Sequence, residues 1–288
     1  MRMLFPFALC LFLSSCADSK TKQDNPILQE TATLALNEAS GLEYANGILW
    51  THEDSGNKDK IYKLDPATGI DEGFKVKGIK NNDWEDITSD KDGSLYIGDF
   101  GNNDNDRQNL AIYKIDPNAP GDVQYTINFY YPGQKEFPPG RRERNFDCEA
   151  FFEYNGYFYL FSKNRNFESD GTVLVHKLKN QKGYQSATPS GSFKTCESFR
   201  KCAIAGADIS PDGKTVALVS GSKLWLITNF KGDDFANGTV TSYDLGALTQ
   251  KEGICFKDNT TLYIADERDK RTGGKLYTLN LADLKANR

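Results

Sequence analysis

Acidic side chains recur at one position of a repeated pattern, and they are the residues of this chain best suited to chemistry. In each copy, an acidic or hydroxyl residue precedes an apolar one, and a turn and a Leu/Tyr-rich run follow. Aligning the five copies on their apolar residues brings together Ser40, Glu85, Glu149, Asp208 and Glu252. Asp208 falls one position out of register, and Glu38 lies outside it but close to the same axis. Five copies constitute an internal repeat, which governs how the whole chain is interpreted.

These oxygen-bearing side chains predict a calcium site. If the first strand of every copy lies beside a common axis, the side chains meet around it. Two unit charges about 5 Å apart repel by roughly 3 kcal/mol at an effective dielectric constant of about 20, so a divalent cation would convert repulsion into binding. A flexible ring of oxygen ligands favours Ca²⁺ over Mg²⁺. In the alternative, the acids accept hydrogen bonds from backbone amides at the blade starts and never converge on one ion.

The loops that follow each second strand contain groups that could act on a substrate. Such loops would open on one mouth of the channel, and convergent polar groups mark a candidate site. We expect Lys163 and Arg165 to bind an anionic substrate group and His52 or Glu53 to act as a base. His176 lies in a third strand and is interpreted as structural. Equally, Asp, Asn and Gly in these loops could simply form turns.

The elements that must position these residues are predicted to be β-strands. Each copy supplies two strands from the pattern, a third after them and, in most copies, a fourth. Four antiparallel strands repeated radially are typical of a β-propeller. We therefore predict an all-β, five-bladed propeller over residues 29–288, in which a strand within 27–36 completes the last blade. A six-bladed propeller would need an unmatched unit, within 180–205.

The N-terminal residues predict a processing signal that is not part of the fold. Residues 1–15 combine a short positive region with an apolar run too short to span a bilayer. The sequence Leu-Ser-Ser-Cys at 13–16 resembles a bacterial lipobox, which implies acylation of Cys16. The protein would then lie at the cell envelope, touching the membrane through its N-terminal lipid only, with residues 16–28 as a flexible tether. An ordinary cleaved signal with a chance cysteine is the alternative.

The remaining cysteines and the net charge restrict the function further. Cys196 and Cys202 flank a polar loop and are predicted to form a disulfide, because exported proteins occupy an oxidising compartment. No second pair has zinc-like spacing, and Cys148 and Cys255 are interpreted as small buried side chains. The net charge of −5 disfavours nucleic acid as a partner.

The blade starts resemble known propeller families. Residues 82–87 (Asn-Asp-Trp-Glu-Asp-Ile), 147–150, 206–213 and 252–254 resemble a family of exported phytase-like propellers. Residues 38–42 and 263–267 also resemble the SdiA-regulated family. The layout of the blade starts is similar to that of the calcium-dependent apyrases, which implies five blades, calcium on the axis and hydrolysis of nucleoside di- and triphosphates. The mouth loops differ from the apyrase pattern, so the substrate does not carry over.

Two functions are compatible with these features. The first is a calcium-dependent hydrolase of a phosphorylated or other anionic small molecule. The second is a non-catalytic, calcium-stabilised propeller that binds a protein or glycan at the cell envelope. We expect a monomer in either case. Because propellers host both kinds of function, the fold alone does not decide between them.

Overall fold

The two apolar runs in each copy of the repeat form neighbouring antiparallel strands, and these build five sheets arranged around a channel. The computed structural model describes residues 27–269 and 272–284. These residues form an all-β, five-bladed β-propeller, as the repeat predicts. The predicted signal peptide and Cys16 lie outside the described residues. Within those residues, no helix has both the length and the apolar character of a membrane span.

Blades 1 and 4 each use four consecutive strands of the chain, whereas the other three blades depart from chain order. The first strand in the chain is β1 (Gln29–Thr33). Blade 1 contains β2 (Ala39–Ala45), β3 (Ile48–Glu53), β4 (Lys60–Asp65) and β5 (Gly69–Lys75). Blade 2 contains β6 (Trp84–Ser89), β7 (Leu95–Asp99), β8 (Leu110–Asp116) and β9 (Ala119–Tyr130). Blade 3 contains β10 (Cys148–Tyr154), β11 (Tyr157–Ser162), β12 (Thr172–Lys179) and, after β13 (Gly183–Ser186), β14 (Thr188–Lys194).

The last two blades follow a short helix, α1 (Phe199–Cys202). Blade 4 contains β15 (Ile204–Ile209), β16 (Val216–Ser220), β17 (Lys223–Thr228) and β18 (Thr239–Asp244). Blade 5 contains β19 (Lys251–Phe256), β20 (Thr261–Asp266) and, after the small hairpin of β21 (Arg268–Asp269) and β22 (Thr272–Gly273), β23 (Lys275–Asn280). Two single turns of 3₁₀ helix lie at Phe235–Asn237 and Leu281–Asp283.

The ring is closed by the N-terminal strand. Strand β1 pairs antiparallel with β23, with Gln29 opposite Thr278, and so becomes the outer strand of blade 5. This confirms the predicted closure. Residues 180–205 do not form a sixth blade. They supply β14 to blade 3 and β13, which pairs in parallel with β9 and adds a fifth strand to blade 2.

Every inner strand has a β-bulge at the same place, near its start. The bulged residue has no partner on the second strand, and it is Glu85 in blade 2, Glu149 in blade 3 and Glu252 in blade 5. The equivalent residues in blades 1 and 4 are Gly41 and Ala205. A bulge redirects a side chain out of the regular alternation. The bulges therefore position three glutamates around the channel.

The apolar core lies between adjacent blades. The side chains of Trp50 and Trp84 are fully buried between blades 1 and 2, and Phe152 and Phe235 lie in the layer shared by blades 3 and 4. Burying one such side chain stabilises the fold by about 2–3 kcal/mol. Because each interface joins two blades, the packing fixes the angle between neighbours and hence the positions of the inner strands. The free thiols of Cys148 and Cys255 are buried in these layers, as expected.

Candidate functional site

Carboxylates gather at the end of the channel where the inner strands begin, here called the upper mouth. Asp54 follows β3, Asp83 precedes β6, and Glu85 occupies the bulge of β6. One carboxylate oxygen from each of these three residues lies within 4.8 Å of the other two. Asp54 belongs to a second such group with Glu252 and Glu267. Asp54 therefore lies between two sets of acids contributed by different blades.

These acids are too crowded to be ionised together without a counter-charge. Burial, together with repulsion from Glu252, Asp83 and other acids, raises the pKa of Asp54 to about 7. Burial also raises the pKa of Glu85 well above its usual value, and Glu149 and Asp54 raise it further. Carboxylates with such pKa values either keep a proton or gain a cation.

Gly101 is the residue that allows two of these acids to approach each other. A Cβ atom at this position would lie 1.9 Å from Oε1 of Glu85 and 2.5 Å from Oδ2 of Asp83. Any other residue would force both carboxylates to move. The space next to Gly101 is therefore reserved for the two side chains that could hold a cation.

Glu149 differs from the other bulge glutamates because it is paired with two cations. Nζ of Lys163 donates to Oε2 of Glu149 at 2.9 Å, and an NH2 group of Arg165 donates to Oε1 at 2.7 Å. Burial alone would raise the pKa of Glu149, but Lys163 and Arg165 outweigh it and lower the pKa to about 2. Arg165 also donates to Asp147 from Nε at 2.5 Å and to the side chain of Asn103. Lys163 and Arg165 therefore lie at the mouth, as expected, but bind protein carboxylates.

Glu252 and Glu267 form an acid pair that shares a proton. Burial and repulsion from Glu252 together raise the pKa of Glu267 to about 10, and the Glu267 side chain hydrogen-bonds to Glu252. The amide of Gln250 donates to Oε2 of Glu267 at 2.5 Å. At neutral pH the pair holds a proton, and this proton lies at the wall of a cavity.

That cavity, here called the side pocket, opens beside the upper mouth between blades 3, 4 and 5. Its volume is about 310 Å³. Charged groups on one side include Lys163, Arg165, Glu252 and Glu267, whereas Phe199 and Leu248 are among the apolar groups on the other. A concave site with convergent polar groups and perturbed carboxylates meets the usual description of a binding site.

The structure places the two candidate bases away from this pocket, contrary to expectation. The ring of His52 is fully buried, packs edge-on against Trp84 at 5.8 Å, and donates from Nδ1 to the Glu53 carbonyl at 3.1 Å. Burial lowers the pKa of His52 to about 4. The carboxylate of Glu53 accepts hydrogen bonds from the Asn37 amide at 3.1 Å and the Tyr62 hydroxyl at 3.0 Å. Adjacent residues of β3 point to opposite faces, so His52 packs against blade 2 and Glu53 faces Tyr62 and Asn37, and neither lines the side pocket.

The remaining predicted ligands are divided between the two ends of the channel. Glu85, Glu149 and Glu252 lie at the upper mouth, and Glu38 lies at its rim, where Asn57 donates to it at 2.5 Å. Ser40 is buried and donates to the Glu85 carbonyl at 2.6 Å, so it links blades 1 and 2.

Asp208 does not join the carboxylates of the upper mouth. Its oxygens accept hydrogen bonds from the amides of Ile209 at 2.7 Å and Phe256 at 2.6 Å, so it fastens blade 4 to blade 5. Asp86 does the same for Phe151 at 3.1 Å. Asp208 and Asp86 therefore accept hydrogen bonds from backbone amides at the blade starts, which is the alternative to cation binding given by the sequence. Together with Glu43, Asp208 instead lines a cavity of about 820 Å³ at the opposite, lower mouth.

Sequence reasoning missed Asp83 and did not assign Asp54 or Glu267 to the cation cluster. Asp83 lies in the motif at 82–87, directly before the first strand of blade 2, and Asp54 and Glu267 follow second strands. All three acids lie directly beside strand ends that open on the upper mouth, and this placement was the available sequence signal. An alignment of the first strands alone does not include these flanking residues.

Comparison with solved structures identifies the fold. An aldose sugar dehydrogenase from Streptomyces coelicolor in its PQQ-bound form is 12% identical, with a TM-score of 0.51, covering 88% of this chain and 97% of that one. A chain of a nidogen–laminin complex is 11% identical, with a TM-score of 0.50, covering 88% and 79%. A virginiamycin B lyase from Staphylococcus aureus is 17% identical, with a TM-score of 0.42, covering 84% and 66%.

The dehydrogenase and the nidogen–laminin chain, with TM-scores of 0.51 and 0.50, support the fold and no particular activity. The chain spans about two thirds of the length of the lyase. No protein-family model matches the chain. No curated protein sequence matches it significantly either.

Proposed function

We propose that this protein is a calcium-dependent hydrolase of a phosphorylated or other anionic small molecule, acting at the upper mouth. The observation that carries the proposal is the carboxylate triad of Asp54, Asp83 and Glu85 beside a pocket walled by the proton-sharing pair Glu252 and Glu267. A candidate cation site and a candidate proton donor lie next to the same cavity. Hydrolysis of an ester or anhydride needs both.

The donor atoms of the triad fit a hard cation. They are carboxylate oxygens, without nitrogen or sulfur, which favours Ca²⁺ or Mg²⁺ over zinc or copper. Burial and neighbouring acids raise the pKa of Asp54, and the positive charge of a divalent cation would offset both. When bound, the ion would polarise the scissile group and lower the pKa of a water molecule.

The side chains supply proton transfer and positioning. Water adds to the phosphorus or carbonyl atom, the bond to the leaving oxygen breaks, and the leaving oxygen takes the proton held by Glu267. The proton lost by the attacking water returns the pair to its starting state. Lys163 and Arg165 hold Glu149 in its ionised form and balance negative charge that develops nearby.

The test uses the full mature chain with calcium and with EDTA. Calcium should raise the melting temperature, and hydrolysis of a phosphoester and lactone panel should require it. Asp83→Asn should lose most of both effects, whereas Asp71→Asn, which changes an exposed acid on an outer strand, should lose neither. Equal melting temperatures with calcium and EDTA would refute the cation site.

A non-catalytic role is the second candidate, and one observation favours it. Lys163 and Arg165 are already neutralised by Glu149 and Asp147, so they do not require an anionic substrate. In that case calcium would only stiffen the hub, and a protein or glycan of the envelope would bind the surface. Stabilisation by calcium without turnover on any substrate of the panel supports this role.

Anchoring at the cell envelope through Cys16 forms part of the same proposal. It is supported by the lipobox-like residues at 13–16. Radiolabelled palmitate should be incorporated into the wild-type protein in cells, and Cys16→Ser should abolish incorporation and release the protein from membranes. Labelling that persists in Cys16→Ser would contradict the anchor.

A further inference from the structure

We propose that the side pocket binds oxyanions that carry an aromatic or alkyl group, with Arg200 on the anionic group and Phe199 and Leu248 on the apolar group. This inference names the substrate class of the proposed hydrolase, and its meaning for catalysis rests on that proposed function. The binding itself depends only on the pocket. It can therefore be tested separately.

Arg200 is the cation of the pocket that is free to meet a ligand. Lys163 and Arg165 each hydrogen-bond to buried carboxylates, and Lys251 donates to the carbonyls of Gly221 and Ala247 and to the Thr249 hydroxyl. Arg200 lines the same pocket, is exposed, and forms no ion pair with any residue in 27–269 or 272–284. A guanidinium presents a fork of donors that matches carboxylate and phosphate oxygens.

The opposite wall exposes two large apolar side chains to one cavity. Phe199 is 37% exposed and Leu248 is 41% exposed, although both line the side pocket. Ala203 and Ala205 continue this apolar surface. Apolar groups that face a common concave site gain free energy when a ligand removes them from water. The wall therefore fits an aromatic ring or a short alkyl chain.

The backbone that carries Arg200 and Phe199 is held in place from three sides. The disulfide between Cys196 and Cys202 closes the loop that contains both residues. The Ser220 hydroxyl donates to the Lys201 carbonyl at 2.8 Å. A Cβ atom on Gly221 would lie 2.3 Å from the Arg200 carbonyl, so only glycine permits this contact. Because the loop is fixed before binding, little entropy is lost when a ligand enters.

Arg165 connects the pocket to the acid cluster. Its guanidinium lies 5.3 Å from the centre of the Phe199 ring and also pairs with Asp147 and Glu149. The Phe199 ring therefore packs against a cation that is already paired with the acid cluster. A ligand whose oxyanion reaches Arg200 and whose apolar group packs on Phe199 would present its ester bond to Glu252 and Glu267, which line the same pocket.

The test is calorimetric titration of the full mature chain with phenyl phosphate, benzoate, inorganic phosphate and phenol, each with calcium and with EDTA. Phenyl phosphate or benzoate should bind at least several-fold more tightly than inorganic phosphate and phenol. The two oxyanions distinguish phosphate from carboxylate recognition. Failure of both to exceed phosphate and phenol would overturn the inference.

Variants locate the binding. Arg200→Gln should weaken phenyl phosphate binding roughly fivefold, the range expected for a partly exposed ion pair. Phe199→Ala should weaken phenyl phosphate and leave inorganic phosphate unchanged. Lys201→Gln, on the same short helix but outside the pocket, is the matched control. Equal affinities in Arg200→Gln and Lys201→Gln would contradict the assignment, with folding checked by circular dichroism.

The two proposals fail in different ways. If calcium neither stabilises the protein nor permits turnover, but binding still depends on Arg200, the hydrolase proposal falls and the ligand class stands. If calcium-dependent turnover is seen and Arg200→Gln binds every probe as the wild type does, the hydrolase stands and the ligand class falls.

Discussion

Lys163 donates a hydrogen bond of 2.9 Å to Glu149, and this contact separates one bulge glutamate from the other two. The positive charge lowers the pKa of Glu149, whereas burial and neighbouring acids raise the pKa values of Glu85 and Glu252. Residues at one structural position therefore have opposite electrostatic states. One side of the upper mouth is neutralised internally, and the other is left to a cation or to protons.

Replacing Lys163 should shift this balance. In Lys163→Met, Glu149 keeps only Arg165 as partner, so we expect a loss of about 2 kcal/mol in the free energy of unfolding in EDTA, below the range for a fully broken buried pair. The cluster also loses a positive charge, so calcium should bind more tightly. Urea denaturation and calcium titration measure both effects. Lys163→Arg should preserve the wild-type values, and an unchanged stability of Lys163→Met would contradict the role of this pair.

Ala205 offers a way to add a fourth glutamate to the bulge positions. It lies at the bulge of blade 4 and lines the side pocket, so Ala205→Glu would place another carboxylate near Glu252. We expect the protein to lose about 1–2 kcal/mol of stability in EDTA through added repulsion at an effective dielectric constant of about 20. Calcium should then raise the melting temperature by more than in the wild type. Ala205→Gln adds a side chain of the same size without the charge. If calcium raised the melting temperature of Ala205→Gln as much as that of Ala205→Glu, charge repulsion would not explain the effect.

Gly101 should be required for cation binding more than for folding. In Gly101→Ala, the new methyl group displaces the flexible ends of Glu85 and Asp83, which can move without unfolding the blade. We expect a change in unfolding free energy below about 1 kcal/mol, within the range for tolerated glycine replacements. Calcium affinity should fall at least tenfold. Gly140→Ala, in an open loop, is the control, and a wild-type calcium affinity in Gly101→Ala would argue against the triad.

His176 should make stability depend on acid pH. Burial lowers its pKa from the ordinary 6.5 to about 4. Between these two pH values the imidazole is protonated in the unfolded chain and neutral in the folded protein. Stability is complete above pH 6.5 and is lost as the pH falls towards 4, by about 3 kcal/mol for this group. His176→Phe keeps a ring against Tyr131, which lies 4.7 Å away, and should reduce this loss. Free energies of unfolding measured between pH 4 and 7 give the size of this loss. The same pH dependence in the wild type and in His176→Phe would disprove the effect.

The fold could be predicted from the sequence because the pattern that indicates it occurs in every blade. Each blade start carries the same pattern, and the strand within 27–36 had no partner unless it joined the last blade, where β1 indeed pairs with β23. The disulfide between Cys196 and Cys202 was also anticipated from spacing. These features depend on local patterns, which are visible in a linear sequence.

The site was harder to predict from the sequence, because a bulge changes which residues of the five inner strands lie at the same height along the channel. Alignment on apolar residues matched Ser40 to Glu85 and left Asp208 one position out of register, but the bulge pairing matches Gly41 and Ala205 to Glu85. A bulge inserts one residue without leaving a sequence mark, so the register slips unseen. The burial of His52 likewise depends on Trp84 from the next blade.

The position of β1 determines where a tether would leave the propeller. It is the outermost strand of blade 5, and Gln29 opposes Thr278, so the strand runs from the lower-mouth side towards Thr33, which is paired with Lys275 near the upper side. A lipid on the flexible residues upstream of Gln29 would therefore pull on the rim of the propeller from its lower side. The carboxylate cluster and the side pocket lie at the other end of the channel, so the point of attachment would leave them unobstructed.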